Sequence, residues 1–112
     1  MRLWHYKLIP YLPKLQLLAQ WRELNSIFAN QPNHILINYV YNYPKDYLYT
    51  YSILVLDEMS KRNIIVKNMA HFNKYFDDDK YLKCYYNQHN NEYLTICYYN
   101  FYSNLILSKI DN

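Results

Sequence analysis

The sequence contains no glycine. This absence excludes, in their usual form, the glycine-rich loops that surround phosphates in nucleotide-binding folds, and we predict that the protein uses no cofactor. It also leaves the left-handed backbone positions past helix ends to other residues, among which asparagine is the usual substitute. Asn30 and Asn63 stand where such positions are needed, so we expect them to follow helices.

Long hydrophobic runs are also missing. Charged or polar residues interrupt every leucine-rich segment, whereas a membrane-spanning helix needs about 20 predominantly apolar residues in succession. The first residues include Arg2 and Lys7 but no sustained apolar stretch and no small-residue cleavage site, so there is no sign of a secretion signal. We therefore expect a soluble, cytoplasmic protein that has no membrane partner.

Cysteine is scarce, with Cys84 and Cys97 the only two. Without a secretion signal, two thiols are expected to be free rather than bridged. Together with His89 they could be imagined as zinc ligands, but CxxC and HxxxH spacings are absent. The acidic run at residues 77–79 is interpreted as a solvated loop, with metal ligation as the alternative. We predict no metal site.

What the chain does contain fits one globular domain of 112 residues. Hydrophobic residues make up 52% and charged residues 19%, which is typical of a folded protein. The net charge is +3, and residues 1–67 hold eight Lys and Arg against four acids. A basic excess of this size is compatible with binding a phosphate backbone but does not require it.

The clearest helix signal lies in residues 13–28, PKLQLLAQWRELNSIF. At about 100° per residue, apolar side chains at i, i+4, i+7 and i+11 form one stripe. The members of this predicted core stripe are Leu17, Trp21, Leu24 and Phe28. Arg22 and Glu23 project from the opposite side. A charged pair there is usually solvated surface, and the alternative is a functional site.

Two further helices are predicted at about 44–62 and 92–110. Residues 34–41 are compatible with a strand or a helix and are predicted to be irregular, while residues 63–89 carry little helix signal. Three helices sharing one core give an all-α fold, a compact single domain over residues 1–112.

Residues 1–12 include Pro10 and are predicted to form an extended or irregular arm before the first helix. At up to about 3.3 Å per residue the arm can fold back along that helix. Glu23 lies only about 15 Å along the helix from Pro13. The terminal amine can therefore meet the Arg22 and Glu23 face.

Two stretches of the sequence resemble a known family. They are MRLWHYKLIPYLPKLQLLAQWREL at the start and HILINYVYNYPKDYLYTYSILVLDEMSKRN further on. They resemble the pyrimidine-dimer DNA glycosylase family of the small endonuclease V type, in particular its bacterial branch. The resemblance covers about residues 1–63, with a weaker echo from His89, and depends on an N-terminal arginine combined with an Arg-Glu pair in a leucine-rich helix.

The resemblance implies a compact three-helix enzyme that acts on ultraviolet-damaged double-stranded DNA. Such enzymes cleave the glycosidic bond with their α-amino group and nick the strand by β-elimination. The site residues implied are Met1 and Glu23 for catalysis and Arg2, Arg22, His34 and Asn38 for DNA binding. A structural role is the alternative for His34. Because Arg2 is too large for ordinary removal of the initiator residue, we expect Met1 to remain, and we expect a monomer.

The proposed chemistry also suits these residue types directly. A nucleophilic amine must be unprotonated, and α-amino groups have pKa values of about 7.7 to 8.0 against about 10.4 for lysine. A carboxylate beside the amine can stabilise a cationic imine and transfer protons. Arginines can hold phosphates and so fix the register of the DNA without reading its sequence.

Two other classes of function stay open. The chain could be a nucleic-acid-binding module without catalysis, which would bind DNA in a salt-dependent manner and leave it intact. It could also be a small helical interaction protein that docks a partner through Leu15 and Leu18, which would show concentration-dependent association without DNA binding.

Overall fold

The computed structural model of the chain describes residues 1–77 and 80–110, and of residues 104–110 the backbone alone. Asp78 and Asp79 of the predicted acidic loop lie outside the described residues. In the described ranges all regular structure is helical, which confirms the predicted all-α class. The elements are 3-10 helices at Tyr6–Tyr11 and Asn38–Asn42, and the α-helices α1 (Lys14–Asn30), α2 (Lys45–Lys61), α3 (Ala70–Tyr75) and α4 (Asn91–Ile110).

Helix α1 is the predicted first helix and packs against α2 and α3. Its predicted stripe is buried, with Leu17 and Leu24 fully inaccessible and Trp21 and Phe28 nearly so, because these side chains share the face turned to the core. The helix runs through Asn30, so the left-handed position falls to Gln31, with φ 45°, and the prediction for Asn30 was wrong.

Helix α2 buries Leu48, Val55 and Met59 on one side. Asn63 follows it with φ 59°, as predicted. Glu58 and Arg62 are spaced for a helical ion pair, and the Arg62 Nε donates to the Glu58 carboxylate at 2.9 Å.

The arm (residues 1–12) is more regular than expected. Residues 1–5 have no regular secondary structure, but Tyr6–Tyr11 forms a 3-10 helix. This helix packs on α2 and α4 and contributes Leu8 and Ile9 to the core. Arg62 fixes its end by donating to the carbonyl oxygens of Pro10 at 3.0 Å and Leu12 at 2.6 Å. The apolar side of the arm therefore completes the core and is not a loose extension.

Helix α3 was not predicted. It has six residues, too few for a periodic pattern to be visible. Its Phe72 packs against the rings of Phe28 and Trp21, with centroid distances of 5.8 and 6.4 Å. Tertiary packing of aromatic rings accounts for this helix.

Three other findings concern the membrane, disulfide and metal alternatives considered above. No described helix combines the length and the apolar character that crossing a membrane requires. Cys84 and Cys97 are free thiols, as predicted. Among the described residues no three His, Cys, Asp or Glu side chains gather in a group that could hold a metal ion.

Candidate active site

The first residues of the arm are fixed to three helices through their backbone. Leu3 and Trp4 are buried. The Tyr93 hydroxyl of α4 donates to the Leu3 carbonyl. The Tyr51 hydroxyl of α2 lies 2.8 Å from both the Trp4 carbonyl oxygen and Gln20 Oε1, so these two acceptors share its one proton. Burial raises the pKa of both tyrosines, which keeps them protonated as donors.

Gln20 of α1 is the centre of this arrangement and is 1% exposed. Its Oε1 accepts from the Trp4 N–H at 2.8 Å, and its Nε2 donates to the Arg2 carbonyl at 3.0 Å and to Glu23 Oε2 at 2.9 Å. Both amide protons and the amide oxygen are therefore used. One side chain links the arm to the candidate catalytic carboxylate.

Glu23 is half-buried beside the start of the chain. Burial is the largest influence on its carboxyl and raises its pKa. Four smaller influences oppose burial: the charge of the Met1 α-amino group, a hydrogen bond from the Arg2 backbone, the bond from Gln20 and the charge of Arg22. The amine is thus close enough to act on the carboxylate, although the two are not within the 4.0 Å of a direct ion pair.

The two arginines of the predicted site differ in their surroundings. The Arg2 guanidinium carbon lies 5.9 Å from the centre of the Trp4 ring, in cation–π contact. Arg22 is exposed and lines a cavity with residues that follow α2. Met1, Arg2, Arg22 and Glu23 are therefore brought together at one end of the arm.

His34 lies in the turn before the second 3-10 helix, and Asn38 is the first residue of that helix. Asn38 Oδ1 accepts from the His34 N–H at 2.8 Å, and Asn38 Nδ2 donates to Asn33 at 2.8 Å. His34 Nδ1 accepts from the Leu36 N–H at 3.2 Å. These bonds order the turn, and within the described residues none of them joins it to Glu23. The assignment of both residues to DNA binding stays a prediction.

The residues that support this site were not predicted from the sequence. Gln20 stands three positions after Leu17, so a polar side chain on the apolar face of α1 was the available signal. Tyr93 and Tyr51 offered none, because a tyrosine on a helix gives no indication of which distant carbonyl its hydroxyl reaches. A second cluster beneath the arm was also missed, in which the rings of His5 and His89 stack with centroids 5.5 Å apart.

The fold and this geometry define a small helical protein whose chain terminus is built into a partly buried polar site. The sequence model of a family described as pyrimidine dimer DNA glycosylase matches residues 1–71, more than half of the chain. The chain belongs to this family. No curated protein matches the chain, and no solved structure does.

Membership gives the general function. The family consists of DNA glycosylases of DNA repair, so DNA is the substrate. The match does not distinguish the bacterial branch from the rest of the family, and that part of the resemblance stays a prediction.

Proposed function

We propose that this protein excises pyrimidine dimers from ultraviolet-damaged double-stranded DNA and then nicks the strand as a lyase, with the Met1 amine as nucleophile. The observation that supports this most directly is the position of the half-buried Glu23, because its carboxylate and the Arg2 carbonyl both accept from Gln20 Nε2 and the carboxylate therefore lies beside the first residues of the chain. A nucleophile needs an acid–base partner at close range. In this chain the two groups belong to segments that Gln20 ties together.

The reaction begins when the neutral amine of Met1 attacks C1′ of the damaged nucleotide. A bond forms between this nitrogen and C1′, and the glycosidic bond breaks, so that the base leaves with the electron pair and gains a proton. Opening of the sugar ring gives a protonated imine. Glu23 stabilises this cation and supplies and removes protons, and its raised pKa suits a group that must do both.

The strand is cut in the second half of the reaction. Loss of a proton from C2′ of the imine releases the 3′ phosphate by β-elimination. Water then hydrolyses the imine and restores the free amine. Arg2 and Arg22 hold phosphates beside the lesion in this scheme. A dimer that already weakens base stacking makes bending and extrusion of the nucleotide less costly, which favours damaged DNA.

His34 and Asn38 have a smaller part in this proposal. Asn38 uses its amide oxygen and one proton of Nδ2 within the turn, and Nε2 of His34 forms no hydrogen bond to any described residue. The second proton of Asn38 Nδ2 and the His34 Nε2 are the groups that can contact DNA in this proposal.

Borohydride trapping tests the proposal. The untagged protein is incubated with a duplex that contains an abasic site or a thymine dimer, borohydride is added to reduce the imine, and the adduct is located by mass spectrometry. We expect one adduct on the peptide that begins with Met1, and we expect an N-terminal extension to abolish it. The matched pair is Glu23→Gln, which should lower adduct formation by about 100-fold or more, and Glu92→Gln at an exposed glutamate, which should not.

The outcomes separate the candidate functions. DNA that binds but forms no adduct at any pH from 5 to 9 would leave a nucleic-acid-binding module and reject the lyase. An adduct on a lysine peptide would reject Met1 as nucleophile. Association of the protein with itself or another protein, without DNA binding, would favour the interaction surface at Leu15, which is 78% exposed.

A further inference from the structure

A groove lies beside the candidate catalytic residues, between α1 and the segment that joins α2 to α3. Its volume is about 370 Å³. Helix α1 contributes Trp21 and Arg22, the joining segment contributes Lys67 and Asn68, and α3 contributes His71. Arg22 lines the groove and directly precedes Glu23 in α1, so this arginine belongs both to the groove and to the group of candidate site residues.

The charge of this groove has one sign. No Asp or Glu lines it, and none of Arg22, Lys67 and His71 forms an ion pair within the described residues. Lys67 and His71 are both exposed. Arg22 and Lys67 are cationic side chains that converge on a concave surface without acidic lining residues, and such a surface attracts a polyanion, while the His71 imidazole can donate a hydrogen bond to it. Because the surface continues from Arg22, the ligand that fits it is the substrate strand itself.

We propose that the groove binds the phosphodiester backbone of DNA next to the nucleotide held at Met1 and Glu23, with Lys67 and His71 contacting its phosphates. This inference rests on the proposed function and adds a second segment of chain to the DNA-binding surface. Contacts of this kind fix register and contribute affinity without reading base sequence. The phosphates on one side of the lesion then meet Arg22, and those further along meet Lys67.

The test is the salt dependence of binding to a duplex that carries a non-cleavable abasic analogue, measured by fluorescence anisotropy. Removing one phosphate contact reduces the slope of log affinity against log salt concentration by about 0.9. We expect Lys67→Ala to show this reduction and His71→Ala to weaken binding at low salt. Lys14→Ala, an exposed lysine of α1 outside the groove, is the matched control and should leave the slope unchanged.

Two results would overturn the groove proposal. The first is that the slope of log affinity against log salt concentration is the same for Lys67→Ala as for Lys14→Ala. The second is that poly-glutamate binds as tightly as DNA and that Lys67→Ala weakens its binding to the same extent. The second would identify a site for acidic polypeptides. Trapping with borohydride is run in parallel on the unsubstituted protein. If trapping fails but Lys67→Ala still reduces the salt dependence of DNA binding, the chemistry at Met1 is rejected and the groove is retained. The two proposals can therefore fail separately.

A second inference comes from the hydrogen bonds of Gln20. One nitrogen, Nε2, donates both to the carbonyl that follows Met1 by one residue and to the carboxylate of Glu23. We infer that Gln20 is a positioning residue that sets the orientation of the Glu23 carboxylate relative to the Met1 amine. Its Oε1, bonded to the arm at Trp4, keeps the amide from turning over.

Gln20→Glu tests this inference, because it keeps the shape of the side chain but replaces the donor with an acidic oxygen that faces Glu23. We expect adduct formation to fall by about 100-fold, the effect of misplacing a reacting group by about 1 Å, with little change in DNA affinity. The pKa of the Glu23 carboxyl should rise, since a donor is lost and a like charge gained. Carbon NMR titration of labelled protein without DNA reads that pKa directly.

Tyr51→Phe is the matched control for a purely structural role. It removes a hydroxyl that bonds the same amide and Trp4 but leaves both bonds of Gln20 Nε2 in place. It should lower the melting temperature without moving the pKa of Glu23. If both variants lower the melting temperature and neither moves that pKa, Gln20 is only a structural tether. The NMR measurement requires no catalysis, so it decides the point even if trapping fails.

Discussion

At the scale of single residues, the raised pKa of Glu23 has a consequence for stability. Because the folded-state pKa lies above the unfolded value, the folded protein binds more protons in the window between them, and stability falls as pH rises through it. The ionised carboxylate therefore costs stability at neutral pH. The same burial that suits Glu23 to acid–base chemistry makes it unfavourable for folding.

We therefore predict that Glu23→Gln melts at a higher temperature than the unsubstituted protein at pH 7, while its trapping activity is lost. The difference should shrink as pH falls through the window between the folded and the unfolded pKa, and it should be gone below about 4, where the carboxyl is protonated in both states. Scanning calorimetry from pH 3 to pH 8 measures it, with Glu92→Gln as the exposed control. A lower melting temperature for Glu23→Gln at pH 7 would contradict the argument.

His89 gives a pH dependence of the opposite sign. Burial, and then the charge of His5, lowers its pKa to about 3. Among the residues that the structure describes, Nδ1 of His89 has no hydrogen-bond partner, and Nε2 lies 2.8 Å from the Tyr39 hydroxyl. The unfolded chain therefore binds more protons between pH 3 and about 6.5, and stability falls as pH drops through that window. The titratable groups that face His89 are His5, Tyr6, Tyr39, Tyr51, Tyr86 and Tyr93.

We predict that His89→Phe, which keeps an aromatic ring in the stack, removes most of this acid sensitivity. Each unit of pKa shift corresponds to about 1.4 kcal/mol, so the unsubstituted protein should lose up to several kcal/mol between pH 6.5 and pH 4 and the variant much less. Urea unfolding at a series of pH values measures how the free energy of unfolding of each protein depends on pH. The control is His71→Phe, at an exposed histidine. If the free energy of unfolding of His89→Phe and of the unsubstituted protein depended on pH in the same way, a buried neutral imidazole at His89 would be contradicted.

At the scale of elements, Arg62 holds the arm to α2. Its guanidinium bonds Glu58 and also the carbonyls of Pro10 and Leu12, a forked arrangement that lysine cannot reproduce. We predict that Arg62→Lys lowers the free energy of unfolding by about 2 kcal/mol, since two carbonyls lose a charged donor. The arm should also become more sensitive to protease.

Urea unfolding and limited proteolysis measure these effects, and exposed Lys61→Ala is the neighbouring control. If Arg62→Lys unfolds and digests like Lys61→Ala, the bonds to the arm contribute nothing measurable.

The elements also differ in how far the sequence predicts them. The predicted bounds 13–28, 44–62 and 92–110 agree closely with the three long helices, because long amphipathic segments repeat their pattern several times. The prediction failed for α3 and for the 3-10 helix of the arm, whose conformations depend on packing partners distant in sequence. A single turn carries no period to detect.

The residues of the candidate site also divide into those that the sequence pattern indicates and those that depend on partners distant in sequence. Arg22 and Glu23 could be singled out because they adjoin each other on a predicted helix face. The length of the extended arm, compared with the distance along the helix, showed that the arm could contact them. Gln20 stands out as a polar side chain on an apolar helix face, but its partners and that of Tyr93 could not be assigned, because in the arm they are main-chain groups. Such bonds depend on backbone position and leave no pattern in side-chain letters.

At the scale of the whole molecule, the fold extends beyond the part that defines the family. The matched residues end at 71, but Phe76, Tyr86 and Cys97 belong to the core. We predict that a chain ending at residue 71 does not fold alone, since it leaves apolar surface and the Leu3 carbonyl uncovered. Circular dichroism should show no cooperative thermal transition for it, and trapping should fail.

Tyr93→Phe in the full chain is the milder companion to this truncation. It removes only the hydroxyl bonded to Leu3 and should retain a cooperative transition with weaker trapping. A cooperatively folded and reactive 1–71 fragment would show that the later residues are dispensable.

The bond between Tyr93 and Leu3 also gives the enzyme an order of assembly during its synthesis. The amine emerges from the ribosome first, but the hydroxyl that seats the arm is translated about ninety residues later. In a nascent chain the first residues are therefore synthesised well before the side chain that fixes them, and this bond to the arm can form only after the start of α4 has been translated.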